Sequence, residues 1–289
     1  MKFIWTWLIL TIVGVICLPV KGNVNYTNST NATTICRNAR TNPFLSTSIW
    51  NTAIGSGAVF HDPGIFRSPF PLPANFFSDD DYFIITSTND PLTVWYNQGW
   101  WGNPSGAGHC NIMGGPGYVW PALNCDGYAF DPDAQYPYGG TDIYLSPGAL
   151  LAIPSSIAVN VTTVPGQKML FVLRNYGGYL CDDTYYSRGT VCTEHGVTDE
   201  FQVAYGYAFD SGPTGLGAAW YADMLALFQA LHVVINNRQN TIGGGGTPLQ
   251  SLAPPVCPVG VQSSGRGVKV QVITFILTLF SCMNIYSFY

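Results

Sequence analysis

Leu150-Leu151-Ala152-Ile153-Pro154-Ser155-Ser156-Ile157-Ala158-Val159-Asn160-Val161-Thr162-Thr163-Val164-Pro165-Gly166-Gln167-Lys168-Met169-Leu170-Phe171-Val172-Leu173-Arg174 is the stretch on which the fold assignment turns. It holds three short apolar runs, Leu150–Ile153, Ile157–Thr162 and Met169–Arg174, separated by Pro, Ser and Gly. Runs of that length, bounded by turn residues, predict strands. Outward from it the pattern repeats. Asp142–Leu145 and Phe201–Phe209 read as strands, and Gly177-Gly178 between Tyr176 and Tyr179 reads as a tight turn. Asp79-Asp80-Asp81 leads into Tyr82–Thr86, and Ser87-Thr88-Asn89-Asp90-Pro91 turns the chain into Thr93–Tyr96, a hairpin. Many short strands predict a mainly β fold, a β-sandwich or jelly-roll. One segment has another period. In Ala218–Val234, Trp220, Met224, Leu227, Leu231 and Val234 recur at three and four, predicting one packed amphipathic helix near the C-terminus that stops at Asn236-Asn237.

Both ends of the chain read as processing signals. Lys2 precedes an apolar run from Leu8 to Cys17, and Val20-Lys21-Gly22 offers small or short residues for a cut after Gly22. Residues 1–22 are therefore expected to be a signal peptide, since the run is shorter than the roughly 20 residues of a membrane span. Residues 258–269 form a linker, and Ser263-Ser264-Gly265 within it is followed by a hydrophobic tail, residues 270–289. That order matches a GPI-attachment signal at Ser263, with a retained transmembrane helix as the alternative. The expected address is the extracellular face of the plasma membrane, or the secreted pool.

The segment between is acidic. All 16 Asp and Glu of the chain lie in it, and Lys168 is its only lysine, which argues against nucleic acid as a partner. Six of its cysteines, Cys36, Cys110, Cys125, Cys181, Cys192 and Cys257, remain after processing, an even number in an oxidising compartment. Proximity in sequence suggests Cys110–Cys125 and Cys181–Cys192, leaving Cys36 for Cys257. The expected ectodomain is residues 36–257. Ahead of it, residues 23–35 carry three successive acceptor sequons at Asn25, Asn28 and Asn31, and read as a glycosylated, disordered lead-in; Asn160 begins a fourth sequon.

Asn42-Pro43-Phe44, Ser48-Ile49-Trp50-Asn51, Asn175-Tyr176-Gly177-Gly178-Tyr179, Ile242-Gly243-Gly244-Gly245-Gly246-Thr247-Pro248 and Leu252-Ala253-Pro254-Pro255 carry a resemblance. Over residues 42–255 the chain resembles a family of secreted, largely uncharacterised β-rich proteins, mostly bacterial. Some members are similar in general design to β-rich polysaccharide-handling proteins. The resemblance implies secretion and supplies no catalytic residues.

The candidate chemistry centres on Glu194-His195. Glu194 and Glu200, the two glutamates of the chain, bracket His195 in a loop ahead of Tyr205 and Tyr207. A base, an acid and a tyrosine suit β-elimination on a uronate, with Arg174 or Asn175 neutralising the carboxylate. The alternative is a solvated polar loop beside a tyrosine-lined sheet. Trp100-Trp101, flanked by Gly99 and Gly102, is the candidate carbohydrate-binding surface; most neighbouring aromatics are expected in the core. Asp126, Asp131, Asp133 and Asp142 form an oxygen-rich region, but their spacing is not that of a calcium loop, so they read as turn formers. His61 falls in a turn, His109 beside Cys110, and His232 near the helix end. No cofactor or metal is expected. The functional expectation is a surface glycoprotein that binds or processes extracellular polysaccharide, as a polysaccharide lyase or glycoside hydrolase if it is an enzyme. The alternative is a non-enzymatic coat or adhesion protein.

Overall fold

The computed structural model describes residues 8–12, 36–37, 44–67, 72–81, 118–122, 142–181 and 189–256. Seven strands form a sheet: β1 (Leu8–Ile12), β2 (Phe60–His61), β3 (Phe76–Asp81), β4 (Leu150–Ala152), β5 (Gly178–Leu180), β6 (Gly189–Glu194) and β7 (His232–Val234). Their order is β2-β7-β4-β5-β1-β6-β3. The pairings β1–β6 and β3–β6 are parallel and the rest antiparallel. Three helices accompany them: α1 (Val164–Asn175), α2 (Val197–Tyr205) and α3 (Ala218–Gln229). Among the described residues the architecture is a mixed sheet with three helices, so strands and a packed helix are present as expected, and the mainly β sandwich or jelly-roll is corrected in its share of helix.

The correction comes from two segments read as strands. Met169–Arg174 is the second half of α1, not a strand. Thr163 caps that helix by accepting from Gly166 N, and Pro165 sits in its first turn, where no amide donor is needed. Pro165, Gly166, Met169, Val172 and Leu173 bury one face at helical spacing. The apolar run Met169–Leu173 hid a helix whose cap, Thr163, lies upstream of the run. Phe201–Phe209 is likewise mostly helical. Gly196 (φ 91°) and Gly206 (φ 79°) bound α2, Val197 and Phe201 bury one turn apart, and Asp199 and Glu200 favour the positive N-terminus.

The other expectations divide. Leu150–Ala152 is a strand as read. Gly177 (φ 75°) turns α1 into β5. Ile157–Thr162 has no regular structure, and Asp142–Leu145 is a turn in which Asp142 Oδ1 accepts from Tyr144 N at 2.9 Å. The helix from Ala218 ends at Gln229, and His232–Val234 is β7, so Val234 shared the apolar spacing only by coincidence of period. The hairpin Tyr82–Thr86/Thr93–Tyr96 lies outside the described residues, as do Asn25, Asn28, Asn31, Trp100, Trp101, Cys110, Cys125, Cys257, Ser263 and residues 258–289. Among the described residues no helix is long and apolar enough to cross a membrane.

Strand alternation divides the core. Leu151, Leu180 and Val233 join the helices in a large cluster that includes Met169, Phe201, Trp220, Met224 and Phe228. Their sequence neighbours Leu150, Ala152, Tyr179 and Val234 point the other way, onto Ile54, Ile49, Trp50 and Phe60. Both faces of the central strands are therefore covered, which is why β4 is apolar throughout rather than alternating. Asp223 ties two helices together. It is 2% exposed and accepts from Thr162 N at 2.9 Å, Thr163 N at 2.7 Å and Thr163 Oγ1 at 2.6 Å, so α3 holds the N-cap of α1.

The layer covering the second face is a clasp between distant segments. Gly55 N donates to Gly243 O and Gly57 N to Gly245 O, each at 2.9 Å; Ser56 N donates to Thr247 O at 2.8 Å. Gly243, Gly244, Gly245 and Gly246 all have positive φ, 67° to 88°. Side-chain-bearing residues rarely adopt that conformation. Asn236 bridges the two segments through Gly57 O and Gly244 O, and Asn237 Oδ1 accepts from Gly243 N.

A methyl at Gly55 would overlap the carbonyl oxygen of Gly245, whereas one at Gly64 meets nothing. Gly55→Ala is therefore expected to lose about 2–3 kcal/mol of stability through forced overlap. Gly64→Ala, at φ 70°, should lose only about 1 kcal/mol. Urea denaturation of both variants checks this; equal losses would show that the close approach is not the constraint. Asp223→Ala strands the donors of Thr162 and Thr163 and should cost about 2 kcal/mol in the same assay.

Candidate active site

The candidate site forms where two parallel strands end. β3 and β6 run side by side, with Asp80 level with Thr193 and Asp81 with Glu194. The Ser78 and Thr193 hydroxyls bond across the pair. After Glu194 the chain turns through His195 and Gly196 into α2. That turn brings His195 Nδ1 to 2.6 Å from Asp80 Oδ2. The side chains are 53% and 47% exposed, so the pair is open to solvent and solutes. A carboxylate at Nδ1 holds a proton there and leaves Nε2 as the nitrogen that exchanges protons.

Glu194 lies next to this pair. Burial pushes its carboxyl above the usual carboxylate range, and the charge of Glu200 pushes it the same way. A carboxyl biased toward its protonated form, in the residue that precedes an Asp-bound histidine, supplies group types suited to proton transfer. The structure thus joins His195 to Asp80 and places Glu194 within electrostatic reach of Glu200. Asp80 was read only as a strand lead-in, because no local pattern links it to a residue 115 positions away.

Tyr205 and Tyr207 do not join this group. Tyr205 ends α2, five residues beyond Glu200, roughly 7 Å further along the axis at 1.5 Å per residue. Its hydroxyl accepts from Lys168 Nζ at 3.1 Å, and its ring packs on Phe201 at 4.8 Å. Tyr207 lies 6.4 Å from Tyr205 in the same aromatic cluster. Its hydroxyl is pushed up by burial, with the Thr163 hydrogen bond acting the other way. The proposed alternation of these tyrosines on a strand is removed by the helix.

Arg174, expected to meet a uronate, lies near the end of α1 and donates through Nη2 to Ile157 O at 2.6 Å. Its Nε is buried without a hydrogen-bond partner. That position suits holding the irregular segment Ile157–Thr162 against α1. Asn175 donates to Phe171 O and accepts from Gln250 Nε2 at 2.7 Å, again within the scaffold.

A second polar cluster gathers His61, Asp62, Asp142 and His232. His61 Nε2 lies 2.8 Å from Asp142 Oδ2, with the Tyr144 ring tilted against the imidazole at 4.6 Å. Asp62 is bound by Arg67, and His232 Nε2 stands 3.8 Å from it. Burial acts to raise the Asp62 carboxyl, but the Arg67 and Gly64 hydrogen bonds outweigh it and hold the group below its ordinary value. Asp142, read as a turn former, does form a turn and also fixes His61. Among the described residues no group of His, Cys, Asp and Glu has the arrangement of a metal site.

Of the cysteines, Cys36 is disulfide-bonded. Arg37 N donates to Pro255 O, and Arg37 forms a parallel bridge with Val256. The chain immediately before Cys257 is thereby beside Cys36. The Cys181 and Cys192 sulfurs lie 3.5 Å apart. Asn160 is exposed.

No family model matches the chain, and neither the curated proteins nor the solved structures contain a match to it. The described residues of the Asn/Trp-rich and Gly/Pro-rich motifs, 44–51, 175–179 and 242–255, converge on the clasp rather than on Glu194-His195. Asn51 Nδ2 donates to Phe44 O and Leu45 O, Trp50 packs edge-on to Tyr179, Leu249 N donates to Ile54 O, and Arg37 Nε donates to Pro254 O.

The raised carboxyl of Glu194 sets a pH dependence with a definite sign. The folded state holds this proton to higher pH than the unfolded chain does. Its contribution to stability is therefore present in acid and is lost as pH rises through the folded-state value. Glu194→Gln should flatten that part of the stability-versus-pH curve. Denaturation midpoints measured across the acid to neutral range test it, and an unchanged slope would remove Glu194 as the source.

Proposed function

We propose that this chain is an outer-surface glycoprotein whose domain processes extracellular polysaccharide by general acid–base chemistry at Glu194, His195 and Asp80. The observation that carries this reading is the 2.6 Å contact between His195 and Asp80, with the preceding residue, Glu194, biased toward its protonated form. A neutral His195, oriented by Asp80, accepts a proton through Nε2. Glu194, holding its proton at higher pH than an ordinary carboxyl, delivers one to the leaving oxygen. On a uronate polymer that pairing supports β-elimination, in which the base removes the proton α to the carboxylate. Glu194 serves as the acid, since Tyr205 lies at the far end of α2. With Glu200 as the base for a water instead, the same carboxyl pair supports glycoside hydrolysis.

The surrounding features agree with an outer-surface address. They are the leader ending at Gly22, the attachment signal at Ser263, sequons at Asn25, Asn28, Asn31 and Asn160, and cysteines placed for cross-links at Cys36–Cys257, Cys110–Cys125 and Cys181–Cys192. The exposure of Asn160 suits glycan addition. Trp100 and Trp101 remain the proposed surface for sugar rings, and the carbohydrate polymer is the proposed partner.

A panel of neutral and uronate-containing polysaccharides, followed by ultraviolet absorbance for unsaturated uronates and by reducing-end assay, tests the activity. Turnover of at least one polymer is expected. His195→Ala and Asp80→Asn should each lower kcat by about 100-fold or more, the scale of a lost acid–base group. The rate should also fall as pH rises through the Glu194 value, because the acid is then ionised. No turnover on any polymer, or wild-type rates in both variants, overturns the enzyme and leaves a coat or adhesion protein.

A further inference from the structure

Arg174 was expected to neutralise a uronate, yet its guanidinium donates to Ile157 O. The other arginines among the described residues are likewise engaged. Arg37 donates to Pro254 O, Arg238 to Asn237 O, and Arg67 is paired with Asp62. Lys168 differs from them. It lies half-buried on α1, and among the described residues no carboxylate stands within ion-pair distance of it. Its ammonium donates to the Tyr205 hydroxyl at 3.1 Å and lies 5.7 Å from the centre of that ring.

An ammonium only donates, so the Tyr205 oxygen accepts in this bond and the phenol keeps its own proton to give. Lys168 has two further protons. The pair therefore offers two donor atoms 3.1 Å apart, one of them charged, from which a single carboxylate can accept at once. The surroundings are apolar and aromatic. Val164 and Phe171 are exposed one turn to either side of Lys168 on α1. Tyr207 stands beside Tyr205, its ring 6.4 Å away and inclined by 30°. A cation and a hydroxyl set among flat and apolar side chains match a sugar acid, which carries a charged carboxylate on a ring with apolar C–H faces. The overall charge points the same way. The domain is acidic, so a polymer of uronates is repelled unless a local cation meets it at the point of contact.

We propose that Lys168 and Tyr205 form a subsite for the carboxylate of an acidic sugar unit, with Tyr207, Phe171 and Val164 against its ring. The inference rests on the polysaccharide reading above and narrows it to uronate-containing polymers. α2 carries Glu200 in its first turn and Tyr205 at its end, roughly 7 Å further along the axis at 1.5 Å per residue. The subsite therefore takes a different part of the polymer from the one on which His195 acts. It selects the polymer that is held and takes no part in the proton transfer.

Binding is measured by calorimetry on the full chain carrying His195→Ala, so that turnover does not consume the probe. The probes are oligomers of galacturonate, glucuronate and mannuronate, each beside its counterpart with the carboxyl groups reduced to alcohols. At least one acidic oligomer should bind about 10-fold or more tighter than its reduced counterpart, the scale of a charge-assisted hydrogen bond. In that background Lys168→Gln should abolish the preference and Lys168→Arg should keep it. Tyr205→Phe, which retains the ring, should weaken the acidic oligomer by about 3-fold or more and leave the reduced one unchanged. Far-ultraviolet circular dichroism of each variant separates loss of the subsite from loss of the fold. Equal affinity for acidic and reduced oligomers, or a preference that survives Lys168→Gln, overturns the subsite and leaves the polysaccharide reading standing. Binding of no oligomer of either kind overturns both.

Discussion

The structure depends on a steric constraint between two backbone segments far apart in the chain, meeting at Gly55–Gly243 and Gly57–Gly245. Residues 53–58 and 241–247 approach so closely that their amides and carbonyls bond directly, and four successive glycines at positive φ make that path possible. Each of these glycines answers to geometry rather than to a ligand. The clasp closes one face of the sheet over Leu150, Ala152, Tyr179 and Val234, and so allows β4 to be apolar on both sides. Asn236 and Asn237 satisfy the carbonyls and amides that such a tight turn leaves inside.

The other face is organised by helices, and there the decisive polar contact is Asp223. A carboxylate on α3 meets the amides and hydroxyl that begin α1, so the cap of one helix is completed by another. This fixes the direction of α1 against β4 and carries the chain into Gly177 and β5. The same logic of neighbouring elements builds the candidate site. Parallel β3 and β6 bring Asp80 level with Thr193, and the turn after Glu194 puts His195 over it. Chemistry at the carboxyl ends of adjacent parallel strands is a placement that α/β proteins use widely.

Glu194, His195 and Glu200 were recognisable as a group because they lie within seven positions of one another and the chain has no other glutamates. Asp80 was not, since the parallel pairing that delivers it has no signature in either strand. Tyr205 was placed with them on the assumption of a strand, where alternate residues stay close to the preceding loop. As a helix, α2 carries it away and gives its hydroxyl to Lys168. Arg174 moved for the same reason. In a strand it would stand at a sheet edge, whereas at the end of α1 it reaches the Ile157 carbonyl.

Local chemistry along the chain is enough to state some of its short elements, its turn glycines and the apolar run of α3, because each is written in consecutive residues. It is not enough to separate a short buried strand from a short buried helix, as Met169–Leu173 demonstrates. Both are apolar throughout, and the distinction lies in whether a cap and a packing partner exist upstream. Those partners, Asp223 for α1, Gly243–Gly246 for residues 53–58 and Asp80 for His195, are supplied by the fold. Contacts between residues far apart in sequence depend on which surfaces meet, and that is settled only when the whole chain has packed.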